Sequence, residues 1–157
     1  MSGPGGFSDL FSEATISTRV AATTKEGVLT ELVDVCVGAG RISAKKRDAV
    51  LEALFARESL GSTGIGGGIA IPHVKTDDVN ETIAAIGVAP KRVDFKAVDG
   101  EPCNLFFLLV SPKSKANAHL DVLRWLSKLV RNPDFCRFLR TAGDSKEALA
   151  VVRELGA

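Results

Sequence analysis

The residues of this chain best suited to chemistry are its two histidines, His73 and His119. Histidine is the side chain whose ordinary titration falls near neutral pH, so its neutral imidazole is available as a nucleophile or a ligand. His73 directly follows Pro72, and proline fixes its own φ and restricts the residue before it. The backbone that carries His73 is therefore stiff, which favours a chemical role over simple packing.

A glycine-rich loop precedes His73. Glycine lets the backbone approach a ligand closely and adopt positive φ, and the loop has five glycines: Gly61, Gly64, Gly66, Gly67 and Gly68. Thr63, in the same loop, could donate its hydroxyl to a bound phosphate or merely shape the loop. The pattern does not indicate a nucleotide site, because no Gly-Lys-Ser/Thr follows it and position 69 is not a glycine.

Two further polar residues are expected near the end of this loop. Arg57 lies at the C-terminal end of the helix predicted before the loop, and His119 lies in the first turn of a later helix. A helix N-terminus carries a partial positive charge, which attracts an anion and keeps a nearby imidazole neutral. A phosphoryl group on His73 could therefore be met by His119 and Arg57. Simpler readings stay open, since Arg57 could only complement a helix dipole and His119 could be a buried core histidine.

Length and composition indicate one ordinary globular domain. The chain has 157 residues, 45% of them hydrophobic and 25% charged, and its net charge of +1 gives no electrostatic footprint for nucleic acid or an anionic membrane. Three scattered cysteines without a CxxC are typical of reduced intracellular thiols. With no signal peptide and no apolar run long enough to span a bilayer, we expect a cytoplasmic protein without membrane insertion. Two histidines without an HExxH motif predict no metal site, and the chemistry outlined above requires no cofactor.

Hydrophobic periodicity predicts helices that alternate with strands. The predicted helices span residues 24–37, 43–58, 116–130, 133–140 and 145–155, and the predicted strands span residues 69–71, 82–88 and 105–110. Alternation over residues 93–98, before a turn at Asp99-Gly100, is typical of a further strand. We therefore expect a single α/β domain over residues 15–157, with a central mixed sheet flanked by helices. Residues 1–14 are small and polar and are expected to form a loose arm.

The motifs around His73 resemble a known signature. Arg57-Glu58, then Ser62-Thr63-Gly64-Ile65-Gly66, then Ile69-Ala70-Ile71-Pro72-His73 is similar to the pattern of the fructose/mannitol-type (type 2) enzyme IIA domain. That domain is a component of the bacterial phosphoenolpyruvate-dependent phosphotransferase system. The resemblance runs from about residue 14 to residue 155. It includes Val98-Asp99-Gly100 before an apolar strand and His119-Leu120 at the start of the following helix.

The resemblance implies a fold and a set of roles. The fold would be that of the phosphotransferase/anion-transport-protein group. His73 would accept a phosphoryl group from a histidine-containing phosphocarrier protein and pass it to a cysteine or histidine of a IIB domain. Arg57 and His119 would support the phosphohistidine, and Thr63, Gly64 and Gly66 would support the phosphate loop. The sequence itself does not choose between Nδ1 and Nε2 of His73, and the family favours Nε2. The protein would be a phosphoryl carrier and not a small-molecule enzyme on its own.

Two features bear on the partners. The residue after Pro-His is usually small in this family, and here it is Val74, which could narrow the approach of a partner protein. The family also contains stand-alone regulators of the nitrogen-regulatory type, which act on a target protein and not on a sugar. Since no IIB or IIC domain accompanies this sequence, the regulatory type is expected. The alternatives are a IIA subunit of a sugar uptake system and a regulatory binding module that works without phosphorylation.

Overall fold

A mixed sheet lies at the centre of the computed structural model, which describes residues 6–157. In that range the sheet has six strands, in the order β1-β5-β6-β3-β2, with β4 also paired to β6. The central pair β5/β6 is antiparallel, whereas β1/β5, β3/β6 and β4/β6 are parallel. The strands are β1 (Ile16–Ser17), β2 (Gly64–Gly66), β3 (Ile69–Ala70), β4 (His73–Lys75), β5 (Ile83–Val93) and β6 (Cys103–Ser111).

Helices cover both faces of this sheet, which explains the continuous apolar run of β6. Alternate residues of a strand point to opposite faces. Phe106, Leu108 and Val110 share one core with α1 (Lys25–Gly38) and α2 (Arg47–Leu60). Leu105, Phe107 and Leu109 share the other core with α3 (Ala116–Leu129), α4 (Pro133–Thr141) and α5 (Ser145–Leu155). The expected α/β domain with a mixed central sheet is confirmed.

The five predicted helices are confirmed, with small differences at their ends. Thr24 caps α1 by accepting a hydrogen bond from the backbone N–H of Gly27 at 3.1 Å, and Asp144 caps α5 by accepting one from Glu147 at 2.9 Å. The second helix was expected from Ser43. Ser43 instead caps a 3₁₀ turn over Ala44–Lys46, and α2 begins after it at Arg47. These caps satisfy N–H groups that a helix start leaves unpaired.

The strand expected over residues 93–98 is wrong. β5 runs as far as Val93 and ends there, and residues 94–97 form a loop. Phe95 and Ala97 are buried while Lys96 between them is exposed, so alternate burial produces the strand-like pattern without a strand. Lys96 has φ of 56°, a left-handed conformation that interrupts extended backbone.

The loose arm expected over residues 1–14 is wrong for its described part. Gly6–Leu10 and Glu13–Thr15 form 3₁₀ turns, and Phe11 is 3% exposed. The Phe7 and Phe11 rings lie 5.7 and 6.2 Å from the Trp125 ring, so two phenylalanines hold this otherwise small and polar segment on the helical layer. Residues 1–5 lie outside the described residues. None of the helices within residues 6–157 is long and apolar enough to cross a membrane.

Candidate functional site

Three elements bring Arg57, His73 and His119 to one open cavity of about 840 Å³. His73 starts β4 and pairs with Leu109 near the C-terminal end of β6. α3 follows β6 after one 3₁₀ turn, so its first turn, with His119, returns to the same end of the sheet. Arg57 lies in the last turn of α2, which packs against β4. Strand ends and loops meet here as is usual for ligand sites in open α/β sheets.

His73 is half-buried, and its hydrogen bonding defines its tautomer. Its Nδ1 lies 2.7 Å from the carbonyl oxygen of Ile71. A carbonyl oxygen can only accept, so Nδ1 carries the proton and Nε2 keeps the lone pair. Burial lowers the pKa of His73, and the positive charges of Arg57 and Lys75 act in the same direction, against the Ile71 hydrogen bond and the charge of Glu58. The ring is therefore held as a neutral imidazole with a free Nε2.

His119 is almost fully buried, 4% exposed, directly beside His73. The two ring centroids are 5.8 Å apart and the rings are inclined at 49°. The Nδ1 of His119 lies 2.7 Å from Oγ of Ser111, the last residue of β6. Burial lowers the pKa of His119 to about 4, helped by the neighbouring His73 and Lys75. His119 is thus both a packed, hydrogen-bonded histidine and part of the cavity wall.

Arg57 brings a positive charge to the cavity. Its Nη1 donates to the backbone carbonyl of Gly61 at 2.8 Å, which holds the side chain along the end of its own helix. Within the described residues no carboxylate lies within ion-pair distance of Arg57, because the adjacent Glu58 pairs with Lys25. The remaining guanidinium N–H groups are available to an anion in the cavity.

Thr63 lies behind the cavity and not in its wall. Its side chain is buried, and its hydroxyl donates to Oε1 of Glu58. Its backbone N–H donates to the same carboxylate at 3.3 Å, and its carbonyl accepts from the N–H of Ile71 at 3.0 Å. Of the two roles open from the sequence, the structure favours shaping the loop, since the hydroxyl is already committed to Glu58.

Gly64 and Gly66 are the two ends of strand β2, which forms a β-hairpin with β3. Gly66 pairs with Ile69, and Ile69 pairs with Leu105, four residues along β6 from the partner of His73. At 3.3 Å per residue, these four residues of β6 span about 13 Å. Gly66 is therefore displaced along the sheet from the register of His73, and its support of a phosphate stays a prediction. Its φ of 97° serves the hairpin turn, and Gly64 serves close packing, since a Cβ there would lie 2.7 Å from the Cβ of Ala97.

Sequence reasoning missed several residues that shape the site. Lys75 lines the cavity, and the two-residue period of a strand puts it on the same side of β4 as His73, a signal that could have found it. Ser111 and the Ile71 carbonyl carry no signal in the sequence, because their partners are set by tertiary packing. Val74 lines the cavity and also packs against the α1/α2 core, so its side chain is held in place.

The donor set of the cavity does not match a metal centre. In residues 6–157 no group of three or more histidine, cysteine, aspartate or glutamate side chains could hold an ion. A neutral imidazole, a second buried imidazole and the Arg57 guanidinium, which has no carboxylate partner among residues 6–157, instead give the cavity a donor set suited to an anion. Fold and site together are those of an α/β domain with an anion-binding cavity at the strand ends.

Comparison with known proteins assigns the domain to a family. Residues 9–155 match the model of the phosphoenolpyruvate-dependent sugar phosphotransferase system, EIIA 2. The chain belongs to this family of phosphotransferase-system EIIA components, which are phosphoryl carriers. The resemblance found in the His73 motifs is thereby confirmed.

Relatives of two kinds share the whole domain. The fructose-specific EIIA component of Haloferax volcanii is 36% identical over 140 residues, which cover 89% of this chain and 90% of that protein. The nitrogen regulatory protein IIA-Ntr of Neisseria meningitidis has a solved structure with a TM-score of 0.84 and 29% identity, covering 93% and 98% of the two chains. The mannitol IIA of Escherichia coli, solved in complex with phosphorylated IIB, has the same fold (TM-score 0.75, 20% identity, 90% and 96% covered).

Proposed function

We propose that His73 accepts a phosphoryl group on Nε2. The observation that carries this proposal is the 2.7 Å hydrogen bond from Nδ1 to the Ile71 carbonyl, which leaves the Nε2 lone pair on a ring that lines an open cavity. Burial and nearby positive charge lower the pKa of His73, so the reactive neutral form prevails at neutral pH. The proposed donor is a histidine-containing phosphocarrier protein.

The transfer exchanges one P–N bond for another. The Nε2 lone pair of His73 forms a bond to phosphorus while the P–N bond of the donor's phosphohistidine breaks, and that electron pair returns to the donor nitrogen. The proton on Nδ1 stays in place, where the Ile71 carbonyl accepts its hydrogen bond and supports the charge that the ring acquires. Phosphoryl transfer needs mainly alignment and stabilisation of the phosphoryl oxygens.

Arg57 and His119 are proposed to stabilise the phosphoryl group. The guanidinium fork of Arg57 suits phosphate oxygens and has no competing carboxylate nearby in the described residues. His119 is neutral, because its pKa is lowered to about 4, and its Nδ1 is occupied by Ser111. The other ring nitrogen of His119 can then face the His73 phosphate. No metal or cofactor takes part in this scheme.

The acceptor of the phosphoryl group is the second part of the proposal. We favour a regulatory role of the nitrogen-regulatory type, supported by the likeness to IIA-Ntr at a TM-score of 0.84. The fructose-specific relative, at 36% identity, supports the alternative of a IIA subunit that passes the group to a IIB domain in sugar uptake. Under either role a charge of roughly −2 appears in the cavity on phosphorylation and changes which surfaces dock there.

Intact mass spectrometry tests the acceptor role. The protein is incubated with phosphoenolpyruvate, enzyme I and the phosphocarrier protein, beside His73→Ala and with His119→Ala as a second histidine variant. We expect one acid-labile phosphoryl group on the wild type, none on His73→Ala, and slower labelling of His119→Ala. Labelling of a histidine in His73→Ala would refute the proposal. Addition of fructose-type IIB then separates the two roles, since only an uptake subunit discharges to it.

A further inference from the structure

A buried ion pair lies directly behind the cavity and takes no part in the scheme above. Glu58 and Lys25 are joined at 2.9 Å, with side chains only 5% and 15% exposed. Lys25 also lies 5.1 Å from the centroid of the Phe95 ring. Taking two charges out of water is costly unless further hydrogen bonds satisfy them, so such a pair calls for a role beyond stability.

Glu58 uses its remaining hydrogen-bonding capacity on a single residue of the loop. Its carboxylate accepts both the hydroxyl and the backbone N–H of Thr63. Hydrogen bonds to an ionised acceptor are about twice as strong as hydrogen bonds between neutral groups. The first residues after Gly61 are therefore anchored to the end of α2 by a buried charge.

Two further hydrogen bonds connect Thr63 to His73 through Ile71. The carbonyl of Thr63 accepts the N–H of Ile71 at 3.0 Å, and the carbonyl of the same Ile71 accepts Nδ1 of His73 at 2.7 Å. The carbonyl of Pro72 accepts a hydrogen bond from the backbone N–H of Leu109 in β6 at 2.9 Å. The backbone before His73 is thus hydrogen-bonded to the sheet through Pro72. It is connected to the Glu58–Lys25 ion pair through Ile71 and Thr63.

We propose that Glu58, held by Lys25 and acting through Thr63, positions the Ile71 carbonyl that fixes the tautomer of His73. Glu58 is a positioning residue, since it touches neither the imidazole nor any group bound there. The carboxylate orients the peptide that holds the proton on Nδ1, and Nε2 remains the free nitrogen as a consequence. That this arrangement speeds phosphoryl transfer rests on the proposed function; the tautomer itself does not.

Nitrogen-15 NMR of the imidazole tests the tautomer in the unphosphorylated protein. Protonated and unprotonated ring nitrogens have well-separated shifts, so the population of each tautomer of His73 can be read directly. The variants are Glu58→Gln and Thr63→Val, which remove the charge and the hydroxyl, and Thr63→Ser, which restores the hydroxyl. Glu52→Gln is the matched control, because it removes the same charge from an exposed position on the same helix.

We expect the wild type and Glu52→Gln to carry the proton on Nδ1. Glu58→Gln and Thr63→Val should show both nitrogens moving towards an average shift, and Thr63→Ser should return to the wild-type pattern. Phosphorylation of His73 in the first two variants should slow by roughly 10- to 100-fold, the cost typical of a misplaced reacting group. If Glu58→Gln does not fold, Thr63→Val and Thr63→Ser still test whether the link from Glu58 through Thr63 sets the tautomer of His73.

Two results would overturn the inference. One is a wild-type tautomer in folded Glu58→Gln and Thr63→Val; the other is a shift in the Glu52→Gln control as large as theirs. Failure of the proposed function looks different. The tautomer would then depend on Glu58 and Thr63 as described, while the wild type would take no phosphoryl group from any phosphocarrier protein.

Discussion

The imidazole rings of His73 and His119 lie 5.8 Å apart, but they differ in how far they are exposed. His73 is half-exposed on the cavity wall, whereas His119 is 4% exposed and bonded to Ser111. Their pKa values are both lowered, chiefly by burial. Two neutral imidazoles therefore lie side by side, one half-exposed on the cavity wall and the other buried and hydrogen-bonded to Ser111.

Replacing Arg57 should affect both the acid–base behaviour and the reactivity of His73. In Arg57→Gln we expect the pKa of His73 to rise, because a positive charge that lowers it is removed. The rate of phosphorylation should fall by about 10- to 100-fold through loss of donors to the phosphoryl oxygens. An NMR pH titration and a transfer assay measure the two effects. An unchanged His73 pKa would show that the charge of Arg57 does not act on the imidazole.

Arg57→Lys separates charge from geometry. Lysine keeps the positive charge but lacks the planar fork that matches phosphate oxygens. We expect the pKa of His73 to stay near its wild-type value while transfer remains slower than wild type. Full activity in Arg57→Lys would mean that charge alone suffices.

His119 should make stability depend on pH. Its pKa is about 4 in the folded protein and near 6.5 when unfolded, so between these values the unfolded chain binds more protons. The contribution is complete above pH 6.5 and is lost as pH falls towards 4, by up to about 3 kcal/mol. Urea unfolding at pH 7 and pH 5 measures it. In His119→Gln the loss between these pH values should shrink; an equal loss in both proteins would assign the dependence to other groups.

Gly64→Ala should destabilise the protein without touching the cavity. The added Cβ would lie 2.7 Å from the Cβ and 2.9 Å from the Cα of Ala97, both held by buried backbone. We expect a loss of about 1–3 kcal/mol in the free energy of unfolding, as for overpacked sites. Gly38→Ala is the control, because nothing lies within 4 Å of its added Cβ, and it should be neutral or stabilising. Thermal or urea unfolding of both variants decides the matter.

Val74→Ala tests whether the branched side chain after Pro-His restricts docking. Val74 lines the cavity and packs against the α1/α2 core, so truncation should cost about 1–2 kcal/mol of stability. It should also lower the KM for the phosphorylated donor protein and leave kcat unchanged, because the reacting groups stay in place. A KM equal to that of the wild type would show that Val74 does not restrict docking of the donor protein.

Sequence patterns predicted the five helices and the long central strands, but missed the short strands β1, β2 and β4 and most hydrogen-bond partners. The apolar run of β6 and the periodicity of the five helices were enough for the α/β class, because burial on one or two faces leaves a direct trace in residue type. The alternation over residues 93–98 misled for the same reason: Phe95 and Ala97 are buried in a loop, and burial alone produces the pattern. The packing of Phe7 and Phe11 on Trp125 depends on a helix more than 100 residues away and leaves no local trace.

By itself, the sequence determined that His73 follows Pro72, which stiffens the backbone, and a glycine-rich loop. It also gave Arg57 and His119 as candidate partners of His73. Those features follow from covalent geometry and local periodicity, which a sequence contains in full. Tertiary structure alone decided that Thr63 bonds to Glu58, that Gly66 turns a hairpin about 13 Å along the sheet from the His73 register, and that Nδ1 of His73 holds the proton. Each of these depends on which chain segments meet, and a hydrogen bond forms only between groups that the fold has already brought within reach.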